Sequence, residues 1–503
     1  MAVRGRFHRT DGLRGRVHAI VSRLCRRRCY SRANSVRCGG NSVTSSYLSS
    51  KEAQSWTPDL PCGGRAAAIE RTRRRMKRTG QWHDSQTLGR HGPVGCVALE
   101  ITQRCNLDCT LCYLSESSEA VKDLPIEAVF RRIELIAETY GLGTNVQITG
   151  GEPTLRNRRE LIAICRRLVE RGLKPALFTN GIRADRAFLA ELAAAGLVDV
   201  AFHVDMTQQR PGYHDEAALN ALRKTYIERA RGLGLAVVFN TTVIAGTLHE
   251  VPALARFFAD HADVVGLASF QPHASVGRGV EVGPSDAIGA DAVVAAIEAG
   301  IGCRLPIGTV QTGHARCNRY GIVLVAGGRA VPIVEEPRFA AAMIAETTAF
   351  DPDRRDSVRA LREIAVWVSR RPRLWPGIAA WAVGRLWALR GGLWPGRFRV
   401  CKLSFFVHDF MDACRLERDR LSACAFTVAT ESGLVPMCLH NARRDEFILA
   451  PVRLADAKDD ICWDPATGRA GREPAAGAVV LSRKTAKGRA RLAFAPGERK
   501  AHR

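Results

Sequence analysis

Between residues 97 and about 270 the chain alternates six short β-branched, apolar segments with amphipathic segments of helical period, and this alternation restricts the fold more than any other property of the sequence. The strand candidates are VALEIT (97 to 102), NVQITG (145 to 150), PALFTN (175 to 180), VDVAFHV (198 to 204), LAVVFNTTV (235 to 243) and DVVGLASF (263 to 270). Stretches such as LRNRRELIAICRRLVERG and EAALNALRKTYIERARGLG lie between them. Strand-helix-strand repeats predict parallel strands joined by crossover helices. Six such units suit a partial (β/α)6 barrel of TIM-like form, with an open doubly wound sheet as the competing architecture. In both, ligands bind at the carboxyl ends of the strands.

The residues with chemistry fall at those ends. After the first strand, ITQRCNLDCTLCYLSE places Cys105, Cys109 and Cys112 within eight positions. Thiols that close serve a disulfide framework, a zinc site or an iron-sulfur cluster. Disulfides take thiols in pairs and persist in oxidising compartments, whereas this chain reads as having no secretory signal. A closed zinc site wants four protein ligands, and no second close pair follows. A cubane held by three cysteines leaves one iron open to a small molecule. Ordinary buried cysteines are the plain alternative.

After the second strand, TGGEPTLR sets Gly150 and Gly151, which let backbone approach a ligand closely, beside the carboxylate of Glu152, suited to an ammonium group. GGEP taken alone is also a common turn. After the fourth strand, His203 and Asp205 point to one face if strand alternation holds, although a lone strand-end Asp is as often a cap. Cys165, in LIAICRRLV, reads as a core residue.

The cysteine loop, set between CVALEITQRC and LPIEAVFRRIELIAETYG, resembles the cluster loop of the radical S-adenosylmethionine (SAM) superfamily. Leu111 stands where that superfamily often has an aromatic residue, with Tyr113 just after the third cysteine. The resemblance implies that Cys105, Cys109 and Cys112 hold a [4Fe-4S] cluster whose open iron chelates SAM. It further implies that Gly150, Gly151, Glu152 and Pro153 hold the SAM amino group, and that Thr179, Asn180 and Gly181 lie near its ribose and carboxylate. Val243, Ile244 and Gly246 would face the adenine, and His203 or Asp205 would contact SAM or substrate. A one-electron donor of ferredoxin or flavodoxin type would reduce the cluster, and the resulting 5'-deoxyadenosyl radical would take hydrogen from an unactivated C–H bond.

Beyond the barrel lie Cys303, Cys317, Cys401, Cys414, Cys424, Cys438 and Cys462, a density that points to an auxiliary cluster in an intracellular chain. FQPHASVGRG (270 to 279), GHARCNR (313 to 319) and FMDACRLERDRLSACAFTVATESGLVPMCLHN (410 to 441) resemble the branch containing tetraether lipid synthases and pterin methyltransferase-like proteins. The resemblance covers roughly residues 90 to 450. It implies Cys317, Cys424 and Cys438 as auxiliary ligands, with Cys303 as a fourth; Cys414 has no counterpart. The branch's paired cysteines ahead of the barrel have no clear equivalent here, and no cobalamin-binding module is evident. The implied substrate is a lipid chain. A peptide is the second reading, and a cluster-bearing electron-transfer protein without SAM turnover is the third.

A net charge of +24 over 503 residues calls for an acidic partner: nucleic acid, an anionic membrane or an anionic substrate. Much of that charge lies in residues 1 to 90, whose Arg- and Ser-rich composition reads as disordered, or as the product of a start assigned too early, with Met76 as the alternative. Nucleic acid is therefore not an expected partner. Residues 91 to 285 are expected to form the barrel, 286 to 465 a cysteine-containing α+β extension, and 466 to 503 a basic tail. No window approaches twenty uncharged apolar residues, so no membrane-spanning helix is expected. Residues 367 to 400, WVSRRPRLWPGIAAWAVGRLWALRGGLWPGRFRV, carry five of the eight tryptophans among arginines. Trp381, Ala382, Arg385, Leu386 and Leu389 recur there at helical spacing. Such a helix packs on a core or lies on a membrane, and the expected location is cytoplasmic with peripheral membrane contact.

Overall fold

The structure, a computed structural model, describes residues 47–278, 288–353, 356–454 and 461–472. The six expected strands form as β1 (Cys96–Thr102), β2 (Asn145–Gly150), β3 (Lys174–Thr179), β4 (Asp199–His203), β5 (Ala236–Val243) and β6 (Val265–Pro272). They are parallel neighbours in sequence order. β1 is buried along its whole length, which is why it reads as a continuous apolar run. Helices Ile126–Tyr140, Arg158–Glu170, Arg186–Ala194, Asn220–Ala230 and Val251–Asp260 cross between the strands. Their apolar stripes (Val129, Ile133 and Ile136; Leu161, Ile164 and Leu168) join the strands in one core, where Cys165 also lies. Starts are set locally: the Asn157 and Asp185 side chains accept the N–H groups of Arg159 and Phe188 at 2.9 and 2.8 Å.

Five more strands extend the same sheet: β7 (Asn318–Ala326), β8 (Arg329–Pro332), β9 (Cys401–His408), β10 (Phe426–Thr430) and β11 (Gly433–Pro436). β9 runs parallel to β6, with Phe270 opposite Val407, and β10 runs parallel to β1, with Cys96 opposite Phe426. Eight consecutive parallel strands result, in the order β10-β1-β2-β3-β4-β5-β6-β9, with antiparallel β7, β8 and β11 outside them. β9 and β10 share no ladder, yet the Phe406 and His408 rings of β9 lie 6.0 and 4.6 Å from the Phe426 ring of β10. The carboxyl end of β9 thus meets the amino end of β10, the stagger that accumulates around a closing, tilted barrel. The α/β barrel architecture stands. Two strands from beyond residue 285 are built into its wall, because their apolar faces are buried against its edges.

Disorder through residue 90 does not hold for residues 47–90. Helix Gly64–Arg78 buries Ala68, Thr72 and Met76. Arg75 donates to Asp59 at 2.8 Å, Tyr140 donates to the same carboxylate at 2.8 Å, and the Arg73 and Arg90 guanidinium groups lie 5.5 and 4.2 Å from the Trp82 ring. An arginine-rich segment folds here because Asp59 and Trp82 within it partner its charges, with Asp59 anchored by Tyr140. Cys25, Cys29 and Cys38 and most of the basic tail lie outside the described residues. No described helix is long and apolar enough to cross a membrane.

Candidate functional site at the strand ends

The loop leaving β1 carries the three cysteines and is stitched to two other strand-end loops. Thr110 N–H donates to Thr207 O at 3.0 Å after β4. Arg278 N–H, after β6, donates to Cys112 O and Leu114 O at 3.0 and 3.1 Å, and its Nη1 donates to Asp108 at 2.6 Å. Cys105, Cys109 and Cys112 form no disulfide. Burial first, then the neighbouring Cys112 and Cys105, push the Cys109 thiol well up. The Arg278 guanidinium interacts with Cys112 by charge and by a side-chain hydrogen bond, and with Cys109 by charge. A buried cation beside three thiols favours an anion there. A thiolate-held iron-sulfur cluster fits that demand. Among the described residues no three His, Cys, Asp or Glu side chains converge as the ligands of one metal ion must. A cubane, which spreads its cysteines over several irons, has no such requirement.

The GGEP segment presses on this loop. Gly150 has φ +131°, and a Cβ there would lie 1.9 Å from Thr102 O; a Cβ on Gly151 would lie 2.2 Å from Arg104 O. Both glycines permit two backbones to touch, with Gly151 N–H and Glu152 N–H donating to those same carbonyls at 2.9 and 2.8 Å. Glu152 is wholly buried. Its Oε1 accepts from Thr154 N–H (3.0 Å), the Thr154 hydroxyl (2.6 Å) and the Thr179 hydroxyl (2.7 Å), and its Oε2 accepts from Asn180 N–H (2.7 Å). Glu152 therefore splices the β2 end to the β3 end, with Pro153 opening the short turn Pro153–Leu155 between. Asn180 also donates from its amide to Asn106 of the cysteine loop at 2.7 Å, and Gly181, at φ +79°, lies against the Tyr226 ring.

Asp205 corrects the sequence reading of a ligand contact. It is fully buried, with Oδ1 accepting from Thr207 N–H and hydroxyl at 2.9 and 2.5 Å, and Oδ2 bonded to His203 Nε2 and Thr242 N–H at 2.6 and 2.8 Å. All its accepting capacity is used inside the protein, so it caps the turn Met206–Gln208 and orients His203, whose side chain is 39% exposed. Burial would raise the Asp205 carboxyl, but His203 and these bonds hold it well below the usual range. Burial would likewise lower His203, and Asp205 outweighs it to raise the imidazole. Val243 is buried at the end of β5; Ile244 follows, partly exposed, its N–H taken by the Thr247 hydroxyl at 3.2 Å. Gly246 lies in the turn Ala245–Glu250.

A second thiol group gathers where β9 meets β10. Arg420 Nε donates to Cys317 Sγ at 3.1 Å, Met411 N–H lies 3.4 Å from Cys438 Sγ, and the Cys424 thiol donates to Phe426 O at 3.0 Å. Burial, then Cys317, pushes Cys424 up to about 12; burial, then Cys424 and Cys317, pushes Cys438 well up. Cys303 does not join them. It follows helix Ala290–Ile301, among Glu298, Glu335 and Arg256, which removes it from the expected ligand set. Cys414 and Cys62 are exposed. Cys424 also interacts with Cys96, the first residue of β1, whereas the first trio follows the end of that seven-residue strand. At about 3.3 Å per residue the two groups stand at opposite ends of a span of about 23 Å, so they are separate sites.

Arg444 and Arg278 were not legible as site residues. Arg444 is buried beneath the cysteine loop, its two Nη atoms each 2.9 Å from a Glu100 oxygen and its guanidinium 4.6 Å from the Tyr113 ring. One signal was available: Glu100 interrupts a strand that is otherwise apolar, and a carboxylate there demands a cation from elsewhere.

Residues 99–258 match the family model of the Radical SAM superfamily. A 7,8-dihydro-6-hydroxymethylpterin dimethyltransferase of Methanocaldococcus jannaschii is 30% identical over 218 residues, 42% of this chain and 42% of that protein. A PqqA peptide cyclase of Methylorubrum populi is 32% identical over 168 residues, covering 32% and 41%. A probable GTP 3',8-cyclase of Pyrococcus abyssi is 31% identical over 156 residues, covering 31% and 49%. The chain thus spans less than half the length of each of these relatives. Among solved structures, Streptococcus suis SuiB bound to its precursor peptide SuiA is 15% identical over 46% of this chain and 48% of that one, with a TM-score of 0.32.

Proposed function

We propose that the chain is a radical SAM enzyme, a reading supported by the match of residues 99–258 to the Radical SAM superfamily model. The observation that carries the reading is the meeting of three cysteines outside any disulfide with the buried Arg278 guanidinium at the strand ends. Cys105, Cys109 and Cys112 would hold a [4Fe-4S] cluster, with Arg278 balancing its charge. When bound, the reduced cluster supplies the electron that cleaves SAM to a 5'-deoxyadenosyl radical, which takes hydrogen from an unactivated C–H bond. SAM lies against the GGEP and TNG ends, where Glu152 Oε2, used once, retains a lone pair for an ammonium group. Val243 and Ile244 border the adenine end. His203, oriented by Asp205, faces the substrate. Cys317, Cys424 and Cys438 are the candidate ligands of an auxiliary cluster, and a ferredoxin- or flavodoxin-type protein is the electron donor.

For the substrate class we favour a lipid chain, on the evidence of one surface. Val383, Leu386, Trp387, Trp394 and Phe398 are all exposed, Trp394 by 80%, and residues 370 to 402 contain eight Arg and Lys but no Asp or Glu. An apolar face bordered by arginines, of which Arg385 and Arg373 are paired with Glu335 and Glu346, suits an anionic bilayer through the net positive charge of its segment. The protein is then cytoplasmic and peripheral to the membrane. A peptide substrate is the second reading, supported by the similarity to a PqqA peptide cyclase.

The test is anaerobic reconstitution with iron and sulfide, followed by SAM and dithionite. Wild type should release 5'-deoxyadenosine and bind clearly more than the four irons of one cubane. Replacing Cys105, Cys109 and Cys112 by Ala should abolish cleavage while sparing the auxiliary signal. Cleavage that survives the triple change removes the assignment.

A further inference from the structure

We infer that Arg444, by offsetting the buried charge of Glu100, keeps the reduction potential of the cluster proposed for Cys105, Cys109 and Cys112 from falling, and so ties that potential to the docking of the C-terminal segment. The inference rests on the cluster reading above.

Arg444 is held as a fixed charge rather than as a mobile side chain. Both Nη atoms lie 2.9 Å from the two Glu100 oxygens, Nη1 also reaches Gln103 Oε1 at 3.3 Å, and Nη2 reaches Asn441 Oδ1 at 3.0 Å. Gln103 in turn donates to Glu100 at 2.8 Å. The guanidinium lies over the ring of Tyr113, the residue after Cys112, and the Tyr113 hydroxyl donates to Gly150 O at 2.5 Å. Arg444 thereby touches the end of β1 and, through Tyr113, the cysteine loop and the GGEP turn.

Its charge reaches the thiols. Arg444 interacts electrostatically with Cys112 and Tyr113, and Glu100 acts on Tyr113 with the opposite sign. In a poorly solvated setting such interactions are far stronger than in water. Reduction adds a negative charge to an iron-sulfur cluster, so a neighbouring cation favours it and a neighbouring anion opposes it. His440, the nearby titratable ring, is held neutral by burial, its pKa lowered to about 3. A buried ion pair is weak evidence for stability, since apolar residues of like volume often serve as well. An electrostatic role accounts for this pair beside these thiols.

The cation also arrives on a meaningful segment. Arg444 opens helix Arg444–Ile448, directly after helix Met437–Ala442, which carries Cys438 of the second thiol group. Occupancy at Cys317, Cys424 and Cys438 would fix the segment that delivers the charge.

The experiment is a redox titration of the reconstituted full chain at pH 8, following the electron paramagnetic resonance signal that the Cys105, Cys109 and Cys112 triple variant lacks. Glu100→Gln, which leaves the cation, should shift the midpoint positive. Arg444→Gln, which leaves the anion, should shift it negative. Glu100→Gln with Arg444→Met should return it close to wild type. If either single variant fails to load, Glu100→Gln/Arg444→Lys should still titrate above Glu100→Gln/Arg444→Met. Shifts of the same sign in both single variants, or unshifted midpoints at full iron loading, would overturn the inference and leave a structural latch. A wild type that incorporates no cluster at these thiols would instead overturn the functional reading beneath it.

Discussion

Glu152 and Asn180 join the ends of two neighbouring strands: Glu152 Oε2 accepts the Asn180 N–H at 2.7 Å while Oε1 accepts the Thr179 hydroxyl, also at 2.7 Å. A residue expected to serve a ligand is thus also part of the frame that positions it. Glu152→Gln places an amide among these buried donors and leaves at least one unpaired, at a cost of about 1–3 kcal/mol. The variant should melt at a lower temperature even without iron, and should bind SAM more weakly at unchanged iron content. An unaltered melting temperature would confine Glu152 to the ligand.

Gly150 cannot carry a side chain. With φ at +131° and backbone oxygen 1.9 Å from the Cβ position, Gly150→Ala must push β2 away from the cysteine loop. Gly212, with φ at +86° and nothing within 4 Å, supplies the control for backbone strain alone. Gly150→Ala should sharply reduce iron incorporation, whereas Gly212→Ala should leave it near wild type.

Glu100 makes stability depend on acid. Burial alone would raise its carboxyl, but Arg444, with smaller help from His440 and Gln103, holds it at about 2 against an ordinary 4.5. A depressed carboxyl stabilises the fold fully above its unfolded value and loses that contribution as pH falls from about 4.5 toward 2. The difference corresponds to about 3 kcal/mol. Urea midpoints of wild type should therefore fall between pH 6 and pH 3 by more than those of Glu100→Gln/Arg444→Met.

The Trp-rich helix Trp375–Leu393 turns the stripe of Trp381, Arg385 and Leu389 inward and leaves Leu386 outside. Trp381 Nε1 donates inward to Ile333 O at 2.6 Å, and Arg385 is held by Pro332 O and Glu335 at 3.0 and 2.9 Å. Leu389 is fully buried, while Val383, Leu386 and Trp387 are exposed. Trp387→Glu with Trp394→Glu should abolish salt-dependent co-sedimentation with anionic vesicles without changing the melting temperature. Trp381→Glu should instead destabilise the protein. Each exposed arginine near such a surface contributes about 1 kcal/mol, so raised salt should release the wild type as well.

The strands came from local pattern, and so did the motifs at their ends. A buried parallel strand needs a continuous apolar run and its crossover helix needs a 3.6-residue stripe; both are periodicities carried by adjacent residues, as β1 and helix Ile126–Tyr140 are. CxxxCxxC, GGEP and TNG are local as well, and the structure sets all three at one end of one sheet.

Other features depended on residues distant in the chain. Whether Asp205 is available to a ligand turns on Thr242 and His203 reaching it from β5 and β4. The phase of helix Trp375–Leu393 is undetermined by a sequence apolar nearly all round, and is fixed only when Ile333 and Glu335 present their oxygens. The Arg75 charge of residues 47–90 looks solvated until Asp59, held in place by Tyr140 from 81 residues away, is seen to take it.

The sequence by itself therefore determined the repeating strand-helix unit, an α/β class with parallel strands, and the chemistry offered at the strand ends. Only the tertiary structure decided that β9 and β10 would carry the sheet toward closure, that Cys424 would meet Cys317 and Cys438 but not Cys303, and that Glu100 would be answered by Arg444 from 344 residues away. The physical reason is that periodicity specifies which face of an element is buried. The partner it is buried against is fixed by the accumulated tilt and stagger of the whole sheet, and by the need of each buried charge for a counter-charge wherever the chain brings one.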